Sequence, residues 1–514
     1  MEAITNFMPE RLAGLPLSLQ LIGATILFSV IYGYLTKERP LAAFPVISVN
    51  GKGPLRSWMF SGREVMDEGQ KLTSGPFQVM TGTGPKIMLP NRYADEIRNL
   101  PELNFPKAFS QDFMVNYPGF EAHRQGLQND YLIQDTVRIK LTQSLGLVTK
   151  DLNDETISTV EDIFGHSEQW NTREIREDCL DIVARVSSRV FLGSTLCRNQ
   201  RWLDIAKTYT VDSFLLSRLM RMAPVILRPF VYLVLPQSWR LRSAVRDARK
   251  IINPEIERRK KIVDAARAAG EKPPKVADTI GWMYDIVKPG DVQPDYVAAQ
   301  LSLTMAAIHT TTEGTCRALI DICKYPETAQ LLRDEMIEVL GKDGWAKTSL
   351  YKLKAMDSFL KESQRYTPLG FSSMNRYVEK DITLSDGTVI PKGRRILVAG
   401  DFDNPKVYPE PEKFDPLRFL KKRQEPGQEN SWQFVTTSPE HLNFGHGQHA
   451  CPGRFFASNE IKIILCHLLM KYDWRFVPGE PEPQARRFES TSSVDPNTRL
   501  QARARTPEID IDSL

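Results

Sequence analysis

The chain has 514 residues, 41% hydrophobic and 25% charged, with a formal net charge of +4 at pH 7. These values belong to a packed globular protein and exclude a disordered tail, a collagen-like fibre and a multi-span transporter. So small a net charge gives no electrostatic case for a nucleic-acid partner. Six cysteines without a Cys-x-x-Cys pair do not make a disulfide framework, which points to a reducing compartment.

From Leu12 to Thr36 there is no Asp, Glu, Lys or Arg. A helix of that length crosses about 30 Å of hydrocarbon, and the short core and small-residue exit of a signal peptide are missing. Arg11 precedes the run, whereas Lys37, Arg39, Lys52 and Arg56 follow it, so the positive-inside bias puts the rest of the chain in the cytoplasm. The expected division is a membrane anchor at 1–36 and one large catalytic domain at 37–514.

Residues 76–90 predict two short strands around a Gly-containing turn. Most of 125–340 has apolar residues at helical spacing. Within it, Met222–Pro236 is too short and too rich in proline to span a bilayer, and reads either as buried core or as a surface dipping into the membrane. Lys272-Pro273-Pro274-Lys275 breaks the helical stretch, and a long helix is expected from Pro294-Asp295 to about Lys324. Residues 377–400 return to strand, with Asp386-Gly387 as a hairpin turn. Loops over 401–450 lead to a closing helix at about 453–471. The fold class is mainly α with minor β.

The chemistry concentrates in Phe444-Gly-His-Gly-Gln-His-Ala-Cys451-Pro-Gly-Arg454. A cysteine just before a proline at a helix start sits at the positive end of the helix dipole, which favours thiolate. Glycines at 445, 447 and 453 let backbone approach a flat cofactor. Cys179, Cys197, Cys316, Cys323 and Cys466 read as core thiols. Glu362 and Arg365 stand three apart on one helix face.

The pattern Phe444, Gly447, His449, Cys451, Gly453 resembles the haem-binding loop of the cytochrome P-450 monooxygenases, with His449 where Arg is usual. The resemblance implies that Cys451 is the axial thiolate of a haem b iron. It implies a buried network of Glu362 and Arg365 with Arg418, which follows Glu362 by 56 residues and precedes Cys451 by 33. It places Thr310, in Ala306-Ala-Ile-His309-Thr310-Thr-Thr, at the hydroxyl that assists proton delivery. His309 replaces the usual acid there, either as a proton shuttle or as a packed histidine. Arg138 and Arg376 are expected at the haem propionates, with Gln134 where the family has Trp. Substrate contacts are expected from Phe109, Phe113, Phe214, Leu215, Ala306 and Leu369.

The closest flavour is the fungal secondary-metabolism branch, which includes gibberellin and indole-diterpene hydroxylases. The implied protein is a single-pass enzyme of the endoplasmic reticulum facing the cytosol. NADPH electrons would arrive through NADPH–cytochrome P-450 reductase, with cytochrome b5 as a further partner the resemblance allows, and the substrate would be a lipophilic, terpenoid molecule. Lys421, Lys422 and Arg423 read either as part of a reductase-docking face or as a solvated charge run. The rival functions are a haem-thiolate isomerase or dehydratase needing no reductase, and a non-catalytic haem protein.

Overall fold

Local chemistry sets the ends of the elements around the site. Asp295 caps the central helix by accepting from the Ala298 N–H at 3.0 Å. Asn104 does the same for Lys107 at 2.8 Å, with Pro106 in the first turn, where its missing N–H costs nothing. The computed structural model describes residues 16–35, 38–128, 131–287 and 293–514.

The helices that position the site are α1 (Leu17–Leu35), α2 (Phe105–Phe113), α3 (Glu121–Gly126), α4 (Ile175–Leu192), α5 (Gln200–Met222), α6 (Pro236–Ala268), α7 (Tyr296–Lys324), α8 (Lys354–Tyr366) and α9 (Arg454–Lys471). The main sheet has five strands, β1 (Phe77–Thr81), β2 (Gly84–Leu89), β3 (Leu103–Asn104), β4 (Ser372–Val378) and β5 (Arg395–Ala399). They lie in the order β1-β2-β5-β4-β3, with β2 and β5 parallel, Ile87 opposite Ile396, and the other pairs antiparallel. A second sheet of Asn171–Glu174, Arg499–Ala504 and Tyr472–Phe476 packs against α4, α7 and α9. The mainly α architecture with a minor sheet is as expected.

α7 runs through the largest core. Leu301, Leu303, Ile308, Cys316 and Leu319 are buried with Ile182 and Phe191 of α4, Trp202 of α5 and Ile464 of α9. Each fully buried aliphatic or aromatic side chain is worth about 1.5–3 kcal/mol, so this packing fixes α7 as the rigid member against which the site is built. Cys179, Cys197, Cys316 and Cys466 are buried and Cys323 is half-buried, all as free thiols.

The 76–90 hairpin, the long helix, the break after Ala268 and the closing helix form where the sequence places them. The strand expected from 377 begins five residues earlier, at Ser372, because β4 carries a bulge between Ser373 and Arg376 and resumes pairing beyond it. Part of the expected anchor, residues 1–15 and 36, lies outside the described residues. α1 covers Leu17–Leu35, but among the described residues no helix is long and apolar enough to cross a membrane, so the expected span is not shown. The buried-core reading of Met222–Pro236 fails: Met222, Val225, Phe230, Leu233 and Val234 are exposed, and of that stretch only Tyr232 is buried.

Candidate active site

The loop that carries Cys451 is folded by its own backbone. The Cys451 N–H donates to the Phe444 carbonyl at 2.7 Å, Ala450 N–H to Gly447 O at 2.9 Å, and Gly445 N–H to Leu442 O at 2.8 Å. Gly445 and Gly447 hold φ of 67° and 75°, which side chains resist. At 447 a Cβ would also stand 2.5 Å from Arg98 Cβ, so only glycine fits. Gly453 is tolerant by comparison, its missing Cβ lying 3.6 Å from Val137. Phe444 packs edge-on against Phe434 at 5.4 Å. His446, invisible as a site residue in the sequence, pins the loop through Nε2 to Asp95 at 2.9 Å.

Cys451 ends this loop one turn before α9. Burial pushes its thiol above the ordinary range, while the backbone N–H groups of Gly453 and Arg454 and the Arg454 guanidinium pull the other way by favouring thiolate. Arg454 is fixed for that role, donating to Cys451 O at 2.8 Å and to Val435 O at 3.1 Å.

Under the loop the structure joins Glu362, Arg365 and Arg418. Arg365 donates twice to the Glu362 carboxylate, at 2.8 Å through Nε and 2.8 Å through Nη2. Arg418 Nε donates to both carboxylate oxygens at 3.1 Å, and the Asp415 N–H adds another bond at 3.1 Å. Glu362 is 0% exposed and Arg365 1%. Their remaining N–H groups tie carbonyls of the 402–413 segment, upstream of the Cys451 loop: Arg365 reaches Phe402 O and Pro411 O, and Arg418 reaches Pro409 O and Lys413 O. Every donor is spent on an acceptor, which is the condition for a buried charge cluster to hold.

Arg376 is the odd cation. It is buried and has no carboxylate partner among the described residues; its one bond runs from Nη1 to Asn375 O at 2.9 Å, and burial pulls its pKa down to about 10. The bulge in β4, with Met374 at φ 55°, is what turns this part of the strand toward the cavity that His449 and Gly445 also line. Burial and the Arg376 charge push His449 down to about 4, so at pH 7 it is a neutral imidazole. The Phe105 ring sits between them, 5.6 Å from the Arg376 guanidinium carbon and 5.6 Å from the imidazole centre. A free guanidinium, a neutral N–H donor, a flat aromatic face and a thiol at a helix start together fit haem: Cys451 to the iron, Arg376 and His449 to the propionates. Arg138 lies in a π-helical turn, Thr136–Leu141, with its side chain 67% exposed and paired to Asp135 at 3.0 Å.

On α7, Ala306 and Thr310 are exposed in a stretch that is otherwise mostly buried, which makes them one narrow open face. Thr310 Oγ1 donates to the carbonyls of Ala306 and Ala307 at 2.9 and 3.1 Å. His309 points elsewhere: its Nε2 meets Lys207 O of α5 at 2.9 Å, and burial pulls it down to about 4. The geometry is that of a packed, satisfied histidine. Phe109 and Phe113 stack at 4.2 Å, and Phe113 meets Phe214 edge-on at 4.7 Å. With Phe105, 5.8 Å from Phe109, they form an aromatic row from His449 to α5, where Leu215 is also exposed. Phe105, missed in the sequence, was readable there: phenylalanines at 105, 109 and 113 share one helix face. The Leu369 carbonyl takes the Ser492 N–H at 2.9 Å. Of the basic run, Lys421 pairs with Asp415 at 2.7 Å, and Arg423 is buried against Asp357 at 3.2 Å; a uniformly solvated run is excluded.

His123 is the other unforeseen group. It is 1% exposed, neither ring nitrogen has a partner among the described residues, and Phe113 and Phe120 flank it at 5.2 Å. Burial holds it down to about 3, against about 6.5 for an unfolded histidine. Like His309, it binds fewer protons folded than unfolded below pH 6.5. Stability present above about pH 6.5 is therefore lost as pH falls toward 4. Urea unfolding at pH 7 and pH 5 should show the loss, and His123→Phe should lessen it; an equal fall in that variant would put the effect elsewhere.

A family model described as cytochrome P450 matches residues 138–501. A cytochrome P450 monooxygenase of Alternaria brassicicola, bsc2, is 41% identical over 485 residues, covering 93% of this chain and 92% of its own. Dihydromonacolin L monooxygenase LovA of Aspergillus terreus is 40% identical over 435 residues, covering 84% and 82%. A solved cyanobacterial structure, CYP120A1 with retinoic acid bound, superposes with a TM-score of 0.62 at 17% identity, covering 90% of this chain and 100% of that one, and speaks to the fold alone. The family match runs through Thr310, the Glu362 cluster and the Cys451 loop, and the relatives named for their activity are fungal monooxygenases. The chain therefore belongs to the cytochrome P450 family, as a monooxygenase of the fungal secondary-metabolism type.

Proposed function

We propose that this monooxygenase oxidises a lipophilic substrate of the terpenoid or indole-diterpene class, using NADPH electrons passed by NADPH–cytochrome P450 reductase, at the endoplasmic reticulum membrane with its catalytic domain in the cytosol. The observation that carries the substrate reading is the aromatic row from Phe105 to Phe214, together with the exposed strip of Ala306 and Thr310 on α7. Such walls bury an apolar skeleton and leave few polar groups to orient it. The exposed apolar face of Met222, Val225, Phe230, Leu233 and Val234 supports the membrane reading, as does α1, which rests on the Val225–Leu227 turn.

Haem, when bound, supplies the activation of dioxygen. The protein's part is positional. Cys451 and its N–H donors hold the ligand sulfur, the Glu362 cluster holds the loop, and the phenylalanines exclude water from the substrate's path. Thr310 keeps a proton at Oγ1, shared between two carbonyls one turn back, on the exposed side of α7. Rotating that hydroxyl off the carbonyls delivers its hydrogen bond into the site without breaking the helix. His309, tied to α5, braces α7.

Reductase-supported turnover of a diterpene substrate tests the assignment. In Thr310→Ala, NADPH consumption should continue while product per NADPH falls about tenfold or more. Unchanged coupling would remove Thr310 from proton delivery, and turnover independent of NADPH would favour the isomerase alternative.

A further inference from the structure

The positive charge of this chain is not spread evenly. From Ser213 to Ile252 there are eight Lys or Arg and one acid, Asp247, an excess of seven against +4 for the whole chain, so the remainder is net negative. Three of these nine charges are neutralised in close pairs: Arg240 on Asp212 at 2.6 Å, Arg249 on Asp295 at 2.5 Å, and Asp247 on Arg201 at 2.6 Å. Arg218, Arg221, Arg228 and Arg242 have no ion pair among the described residues, and Arg246 and Lys250 come no nearer than 3.9 Å to the already paired Asp247.

These free cations flank the exposed apolar face. Arg221 precedes Met222 at the end of α5, and Arg228 opens the short helix Arg228–Val234 that carries Phe230, Leu233 and Val234. Burial and the Arg221 charge pull both Arg218 and Arg228 below the ordinary range, which Glu489 offsets only in part at Arg218, so three like charges stand together here. On the other flank, exposed Trp239 donates from Nε1 to Leu233 O at 3.0 Å, and the Arg242 guanidinium carbon lies 5.2 Å from the Trp239 ring centre. Arg242, Arg246 and Lys250 follow one another every four residues along α6 and are all exposed, which makes one stripe. Glu121 and Glu257 line the groove this stripe borders, too few carboxylates to cancel six free cations.

Composition then selects the partner. An apolar patch edged by a tryptophan and rimmed by arginines matches the interface of an anionic leaflet: hydrocarbon takes the apolar side chains, the indole sits at headgroup level, and each Lys or Arg near the surface gains about 1 kcal/mol. An acidic protein would satisfy the arginines alone. The apolar helix α1 rests on the Val225–Leu227 turn within the same face, and that continuity favours a bilayer.

We propose that this face docks on an anionic phospholipid leaflet, with the apolar side chains of 222–234 and Trp239 entering the bilayer and lipid phosphates pairing with Arg221, Arg228, Arg242 and Arg246; this rests on the membrane reading proposed above and adds to it the choice of lipid.

The test is partition of the full haem-loaded chain onto sucrose-loaded vesicles, made of phosphatidylcholine alone or with about 30 mol% phosphatidylinositol. At ~0.05 M salt the anionic vesicles should bind about tenfold more tightly or better, and at ~0.5 M salt the preference should fall to about twofold or less, because screening reaches exposed charges. Arg242→Gln/Arg246→Gln, both at exposed positions, should cut the preference about threefold or more while binding to phosphatidylcholine and the melting temperature stay as they are. Lys342→Gln/Lys354→Gln removes the same charge from exposed positions outside this face and should keep the preference. An equal loss in the two double variants would make this an effect of net charge and overturn the proposal. Equal partition onto both vesicles overturns the choice of lipid and leaves the membrane reading standing, whereas a chain that binds neither vesicle overturns both.

Discussion

Cys451→Ala should abolish the thiolate-type Soret band of the reduced carbon monoxide complex and take turnover to background. The thiolate is the nucleophilic, metal-binding form of cysteine, and alanine offers iron nothing. The loop itself should survive, because the bonds that fold it come from backbone N–H and carbonyl groups at 442–451 and not from the thiol. Circular dichroism and the melting temperature of the apoprotein should therefore stay close to those of the parent. The other five cysteines are poor substitutes: Cys179, Cys197, Cys316 and Cys466 are buried, the Cys316 Sγ–H already donates to Ile175 O at 3.7 Å, and burial pushes the half-buried Cys323 thiol up to about 12. A retained thiolate band in Cys451→Ala would refute the ligand assignment outright.

Glu362→Gln should be the most destabilising single change in the site. The amide keeps the shape but loses the charge, stranding two guanidinium groups, Arg365 and Arg418, in a pocket where the carboxylate was 0% exposed. Removing one partner from a buried ionic cluster costs about 3–5 kcal/mol. Against a total of about 5–15 kcal/mol for a domain, that is a large share of the whole. The contrast is the surface pair Lys352–Asp343, also short at 2.6 Å but with the lysine 54% exposed. Breaking an exposed pair costs at most about 1 kcal/mol. Denaturant unfolding of Glu362→Gln beside Lys352→Ala should separate the two by several-fold, and haem retention should fall in the first alone. Equal midpoints would mean that the Glu362 cluster does not brace the loop.

The exposed apolar face at 222–234 adjoins α1, and the aromatic row ends at Phe214, on the helix that leads into that face.

What the sequence by itself determined here is local or covalent. Asp295 caps α7 because its side chain reaches an N–H three residues on. Glu362 and Arg365 meet because residues three apart share a helix face. The glycines of the Cys451 loop are legible because no other residue takes a positive φ so freely. Those signals depend on neighbours within a few positions, so reading along the chain suffices.

Tertiary structure alone decided the rest. Arg418 joins Glu362 across 56 residues, and its donors find carbonyls whose positions no periodicity encodes. The bulge at Met374, which aims Arg376 at the cavity, is a one-residue slip in pairing between strands whose facing ends, Val378 and Arg395, stand 17 positions apart in sequence. His309 could have faced the open strip with Thr310, but the 100° between successive helix residues turns it to Lys207 instead. In each case the deciding quantity is a distance across the fold, set by packing and register, which residue spacing along the chain does not contain.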